Sequence, residues 1–156
     1  MLEVKITAAM MESAKRRADE MGKIPNSIME GRGNLTGFLG EEIAARVFNA
    51  KFANTYEYDL ILEGGQTVDV KTKKTGVKPK GYYECSVSTV TRKQLCDYYA
   101  FVRVLKDYSM GYFLGWKKNK EYYKEAKEYK KGDIDPDNNH VFKASTFNLA
   151  IEDLEL

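Results

Sequence analysis

A chain of 156 residues with one histidine, His140, has little room for imidazole chemistry. A histidine-based triad and a multi-histidine metal site are both set aside, and His140 is expected in a solvated loop. Cysteine is nearly as scarce. Cys85 and Cys96 are too few for a disulfide framework and lack the paired spacing of a zinc site, so both read as buried thiols. No stretch is apolar for long enough to span a membrane. Met1-Leu2-Glu3-Val4-Lys5 lacks the basic-then-apolar pattern of a signal peptide, and the expectation is a cytoplasmic protein. Charge of one sign is also lacking. Lys and Arg number 25 against 23 Asp and Glu, and a net +2 is too small to announce a nucleic-acid binder by itself. What remains is a chain that is 43% hydrophobic and 31% charged, enough for one core. A single domain over residues 1–156 is expected, with no repeat and no linker.

Apolar periodicity places the elements. Residues 2–6 read as a short strand, and Thr7 is a good N-cap for a helix running to Met21 and stopping at Gly22. A second helix is expected over about 36–50, where Leu39, Ile43, Val47, Gly40, Ala44 and Phe48 form one apolar arc. On a helical projection Glu42 falls in the middle of the polar face, and Glu41 at the border of the arc, so Glu41 is the one that can look inward. Residues 83–87 read as a third strand of the sheet. Tyr98–Leu105 and residues 112–116 read as strands of a hairpin, their tyrosines and Trp116 as core and sheet-surface residues rather than base-stacking platforms. A basic and acidic helix should follow, then strand-like pieces at 141–144 and 147–151.

The chemistry concentrates in a hairpin. Tyr58-Asp59-Leu60-Ile61-Leu62 and Thr67-Val68-Asp69-Val70-Lys71 both alternate, with Gly64-Gly65 between them as a turn. A two-residue loop would pair Asp59 with Val70 and scatter the charges. A three-residue loop that takes in Glu63, with a glycine in the left-handed region, pairs Asp59 with Asp69, Leu60 with Val68, and Tyr58 with Val70. That register is the expected one. It leaves one face apolar and gives the other both aspartates and Lys71, with opposed Cβ atoms about 5 Å apart, close enough to share a hard cation.

Two lysine clusters differ in kind. Glu121, Glu125 and Glu128 interleave at helical spacing with the lysines of 117–131 and would neutralise that face. Lys71, Lys73, Lys74, Lys78 and Lys80 have no acids among them; with Tyr82 and Tyr83 following they could hold phosphates beside the carboxylates, and the alternative is a flexible lysine-rich loop. The turns Ile24-Pro25-Asn26-Ser27 and Gly31-Arg32-Gly33-Asn34 match neither the Walker pattern nor the dinucleotide fingerprint, and Arg32 alone is worth testing there. Asp133, Asp135 and Asp137 fail as a calcium loop: Pro136 interrupts it, its glycine comes first, and Ala144 stands where the twelfth-position glutamate belongs.

Gly37-Phe38-Leu39-Gly40-Glu41-Glu42-Ile43-Ala44 on a helix, then Asp59, then Asp69-Val70-Lys71 on a strand, resembles the PD-(D/E)XK nuclease superfamily, the restriction-endonuclease-like fold shared with archaeal Holliday junction resolvases. The match runs from Gly37 to Val104, a catalytic core of about 36–105. Tyr58 stands where the motif's proline is expected. The resemblance implies an α/β fold with a mixed sheet flanked by helices. It implies magnesium, with manganese as substitute, held by Glu41, Asp59 and Asp69, and Lys71 positioning or polarising the attacking water.

The residue chemistry agrees with this. Magnesium needs one or two carboxylates plus phosphate oxygens, which suits Asp59 and Asp69 with the Val70 carbonyl as a further ligand. Two adjacent aspartates favour protonated lysine, so Lys71 should act chiefly by orienting water and stabilising charge. The expected function is a metal-dependent deoxyribonuclease. Its partner is DNA, contacted by Lys73, Lys74 and Arg32, with no membrane and with a homodimer as one option. The alternatives are a catalytically silent DNA-binding or assembly module of the same fold, and a small metal enzyme with a non-nucleic substrate.

Overall fold

Thr7 follows the first strand and caps the first helix in the computed structural model, which describes residues 1–21, 32–53, 55–91 and 94–156 (of 32–34 and 91, the backbone only). The Thr7 hydroxyl accepts the Met10 N–H at 3.2 Å, the bond of an N-cap, between β1 (Leu2–Lys5) and α1 (Ala8–Met21). Gly22, the turn 24–27 and the side chain of Arg32 lie outside the described residues. Helix α2 spans Arg32–Phe48. It stops where Asn49 turns left-handed (φ 51°) and the Ala50 N–H reaches back to the Ala45 carbonyl at 2.9 Å.

The strands follow as β2 (Lys51–Phe52), β3 (Leu60–Ile61), β4 (Thr67–Thr75), β5 (Glu84–Ser88), β6 (Tyr98–Leu105) and β7 (Met110–Lys118). Helix α3 (Asn119–Glu125), β8 (Lys127–Tyr129) and β9 (Thr146–Ala150) complete the chain. Six strands form a mixed sheet in the order β1-β7-β6-β4-β3-β2, in which β4 and β6 alone run parallel. A parallel pair needs a long crossover, and here that crossover carries β5. The architecture is α/β: a curled mixed sheet with three α-helices among the described residues.

The sheet has a core on each face. On one face α1 and α2 cover Leu60, Val68, Ala100, Val102 and Val104 with Met10, Ala14, Leu39, Ile43 and Ala44. Helix α2 lies close on β4 because position 40 is glycine; a Cβ there would fall 1.8 Å from Thr72 Oγ1. On the other face Tyr99, Phe101, Tyr112 and Leu114 meet Cys85, Val87, Tyr122, Phe147 and Leu149. Both cysteines are buried free thiols, and burial pushes Cys85 up to about 12 and Cys96 up to about 11. The tyrosines are largely structural: Tyr99 and Tyr122 are fully buried, and Tyr98 packs edge-on against Trp116.

Several sequence expectations need correction. The strand near 83–87 does not join the main sheet. It is β5 of a separate antiparallel sheet, order β5-β9-β8, because Cys85 and Val87 turn into the second core and Glu84–Ser88 pair with β9. Helices therefore flank one face of the main sheet, while a small sheet and α3 cover the other. The helix expected after Trp116 ends at Glu125, and Glu128 lies on a strand. Strand β4 continues past Lys71 to Thr75, since pairing with β6 persists that far. Val141 makes one bridge, to Ile134, in place of a strand. Glu42 is buried, because α1 lies over the flank that the projection gave to solvent. No helix among the described residues is long and apolar enough to cross a membrane.

Candidate active site

The hairpin closes with a three-residue loop. The Leu62 N–H donates to the Gln66 carbonyl at 2.8 Å, Gly65 sits at φ +85°, and Leu60 faces Val68. The ladder then breaks at Asp59. Its carbonyl accepts the Ala53 N–H at 2.7 Å, which draws the chain toward β2, and the Thr55 hydroxyl donates to the Tyr58 carbonyl at 2.9 Å. The expected pairings of Asp59 with Asp69 and of Tyr58 with Val70 are therefore absent, and the Asp59 N–H donates to the Val68 carbonyl at 2.9 Å. Asp59 fills the gap: its Oδ2 accepts the Val70 N–H at 2.7 Å. Val70 thus enters the site through its N–H.

Period-two alternation puts Asp69 and Lys71 on one face of β4, with Asp69 Oδ2 2.7 Å from Lys71 Nζ. Asp69 is 5% exposed. Its Oδ1 accepts from Gln94 Nε2 at 3.1 Å, and the same amide nitrogen donates to the Tyr56 carbonyl at 3.2 Å. Gln94 Oε1 lies 3.5 Å from Lys71 Nζ, so this amide spans the ion pair. Asn119, the first residue of α3, fastens the loop by donating to the Gln94 and Cys96 carbonyls at 3.2 and 3.0 Å.

Glu41 comes from α2. Arg17 of α1 donates to Glu41 Oε2 and lies over the rings of Phe38 (4.6 Å) and Phe52 (4.0 Å), so its position is fixed by packing as well as charge. Arg17, Phe38, Glu41, Tyr56 and Asp59 line a cleft of about 450 Å³. Glu42, next in sequence, accepts from the Ser13 hydroxyl in the helix interface. Arg17 also lies 3.9 Å from Glu42 Oε1, so the two largely buried neighbours share that cation and differ in their other surroundings, Glu41 facing the cleft and Glu42 the Ser13 hydroxyl.

Crowding sets the electrostatics. Burial, and then the nearby charge of Asp59, raise Glu41 to about 7 against the pull of Arg17. Burial, and then Asp69, raise Asp59 to about 6; the Val70 N–H and Lys71 oppose this. Three carboxylates are thus held together where their charges disfavour one another.

The donors suit a hard divalent ion in kind, being carboxylate oxygens, and Asp69 Oδ2 is buried with its ion pair to Lys71 but no aligned hydrogen bond. They do not form a closed ligand set: among the described residues no three His, Cys, Asp or Glu side chains are grouped to hold an ion. Glu41 is turned to Arg17 and Asp69 to Lys71, so a cation would replace those partners.

Lys73 shares the face of Asp69 and Lys71. Lys74 points the other way, 5.0 Å from the centre of the Tyr108 ring, and is not beside the carboxylates; the extension of β4 as a regular strand forces this alternation. Sequence reasoning missed Arg17 and Gln94. Arg17 had a signal, since it continues the stripe of Met10, Ser13 and Ala14 at helical spacing; Gln94 had none. No protein-family model matches this chain, and no curated protein matches it.

Proposed function

We propose that the chain is a metal-dependent deoxyribonuclease, residues 1–156 forming one nuclease domain of the restriction-endonuclease-like fold. The observation that carries the reading is the burial of Asp59 and Asp69 beside Lys71, with Glu41 near enough to feel the charge of Asp59, and with Asp59 and Glu41 pushed well above the usual carboxylate range. A structural ion pair does not need two further buried acids.

Asp59 and Asp69, with Glu41 completing the set, would hold magnesium or manganese. The bound ion would offset charge on the reacting phosphate and make a water nucleophilic near neutral pH. Lys71, in its ion pair with Asp69, would orient that water by hydrogen bonding and stabilise developing negative charge. Gln94 would keep Asp69 and Lys71 in their relative positions. Arg17 would release Glu41 when a cation arrives.

The test is incubation with supercoiled, linear, single-stranded and four-way-junction DNA in magnesium, manganese, calcium or EDTA. Cleavage should need magnesium or manganese, while calcium, with its looser shell, should support little. Full activity in EDTA would refute the reading. A second reading has its own support, because Glu41 and Asp69 are already paired with Arg17 and Lys71. It is a silent DNA-binding module, and its signature is DNA binding without cleavage in any metal.

A further inference from the structure

The face of β4 that carries Asp69 and Lys71 continues one step further along the strand. Lys73 follows Lys71 by two residues, about 6.6 Å of strand, and the parallel register sets Lys73 opposite Arg103 on β6. Like charges directly opposed on neighbouring strands destabilise a sheet. Among the described residues neither cation has a carboxylate partner. Arg103 Nη2 donates to a carbonyl, Glu84 O, at 3.0 Å, and its guanidinium lies 5.4 Å from the centre of the Tyr83 ring. The Glu84 carboxylate on the same wall accepts from Asn148 Nδ2 at 2.8 Å.

The two cations line a groove of about 270 Å³ between the main sheet and β5, together with Lys71, Glu84, Ser86 and Phe101. Lys73 is exposed and open to a ligand; burial and Arg103 lower its proton affinity, and the nearby charges of Cys85 and Glu84 oppose this. The groove begins at Lys71, so an anion in it would neighbour whatever is bound at Asp69.

We propose that Lys73 and Arg103 form a phosphate subsite that holds a backbone phosphodiester of DNA, adjacent to the phosphate presented to Asp69 and Lys71. The planar fork of Arg103 can take two phosphate oxygens while the Lys73 ammonium supplies a point charge, and an anion between them removes their mutual repulsion. The choice of DNA rests on the nuclease reading; the need for an anion rests on the groove alone.

The experiment is fluorescence anisotropy with a labelled DNA duplex and a labelled single strand, in EDTA to prevent cleavage, over a range of salt. The variants are Lys73→Glu and Arg103→Gln, with Lys74→Glu, on the opposite face of β4, as control. Lys73→Glu should weaken binding by about tenfold or more and reduce the slope of log affinity against log salt by about one. Its melting temperature should hold or rise, because Arg103 gains a cross-strand partner. Arg103→Gln should weaken binding in the same direction; should it fail to fold, Lys73→Glu decides.

If both groove variants bind as tightly as Lys74→Glu, or if the wild type binds no DNA at low salt, the subsite is overturned. Wild-type cleavage alongside unaffected groove variants would remove the subsite and leave the nuclease. Groove-dependent binding with no cleavage in any metal would do the reverse.

Discussion

Two buried clusters of lysine and acid in this chain are built in opposite ways. At the end of β7, Lys117 is covered and its acids are exposed: its ammonium meets Glu125 at 2.9 Å, Glu155 at 3.8 Å and the Asp153 carbonyl at 2.9 Å. Those contacts raise its proton affinity, the hydrogen bond to Glu125 most of all. The acids keep their water, and each charge has an answer. At the hairpin the arrangement is inverted. Lysine is the more exposed partner, and the acids are buried together, with Asp59 at about 6 and Glu41 at about 7. The first cluster is answered by its own contacts, whereas in the second the proposed cation would offset the crowding of the acids.

The largest expected effect separates the clusters by activity. Asp69→Asn, Asp59→Asn and Lys71→Ala should each lower DNA cleavage by roughly 100-fold or more while the fold persists. Lys117→Met should leave the cleavage rate per folded molecule unchanged. Equal rates in all three hairpin variants and the wild type would make both clusters structural.

Next comes the contrast between adjacent glutamates. Glu41→Gln removes a carboxylate from the cleft and should abolish most activity. Glu42→Gln replaces a charged acceptor of the Ser13 hydroxyl, so it should cost about 1 kcal/mol of stability and little activity. Matching losses of cleavage in the two variants would contradict the assignment of Glu41 to the cleft.

A pH profile of metal-free stability sharpens the comparison further. Glu41 and Asp59 bind protons more tightly folded than unfolded, from ordinary values of 4.5 and 3.8. Their contribution is fully present below about pH 4 and is lost as pH rises through about 6 to 7, so between these limits stability should fall. Asp59→Asn keeps an oxygen for the Val70 N–H and removes the charge; at pH 8 in EDTA its melting temperature should exceed the wild type's. A wild-type profile that rises steadily from pH 4 to 7, unchanged in Asp59→Asn, would contradict the crowding. The smallest effect is at Lys117, where Lys117→Met should lower stability by about 1 kcal/mol, roughly 2–4 °C in melting temperature, with or without magnesium. A magnesium-dependent change there would blur the distinction between the clusters.

How much of this the chain discloses on its own depends on the range of the interactions. Asp69 and Lys71 share a face because strand side chains alternate, and the three-residue turn follows from Glu63-Gly64-Gly65 between alternating segments; both are local and legible. The break at Asp59 is less so, because the competing bonds come from Ala53 and Thr55. Glu42 is buried where a helical projection gives it to solvent, because the projection knows one helix and α1 covers the flank it leaves open. Gln94 reaches the site through a loop pinned by Asn119, 25 residues away in sequence, and no periodicity reports that. Strand β5 alternates as any half-buried strand does, and its pairing with β9 rather than the main sheet is decided by long-range packing.

The claim that the hairpin acids are a cation site is tested most directly by calorimetric titration of manganese into the wild type and into the Asp59→Asn/Asp69→Asn double variant at pH 7.5. The account predicts one saturable site in the wild type and none in the double variant. No binding to the wild type, or the same binding to both, would contradict it.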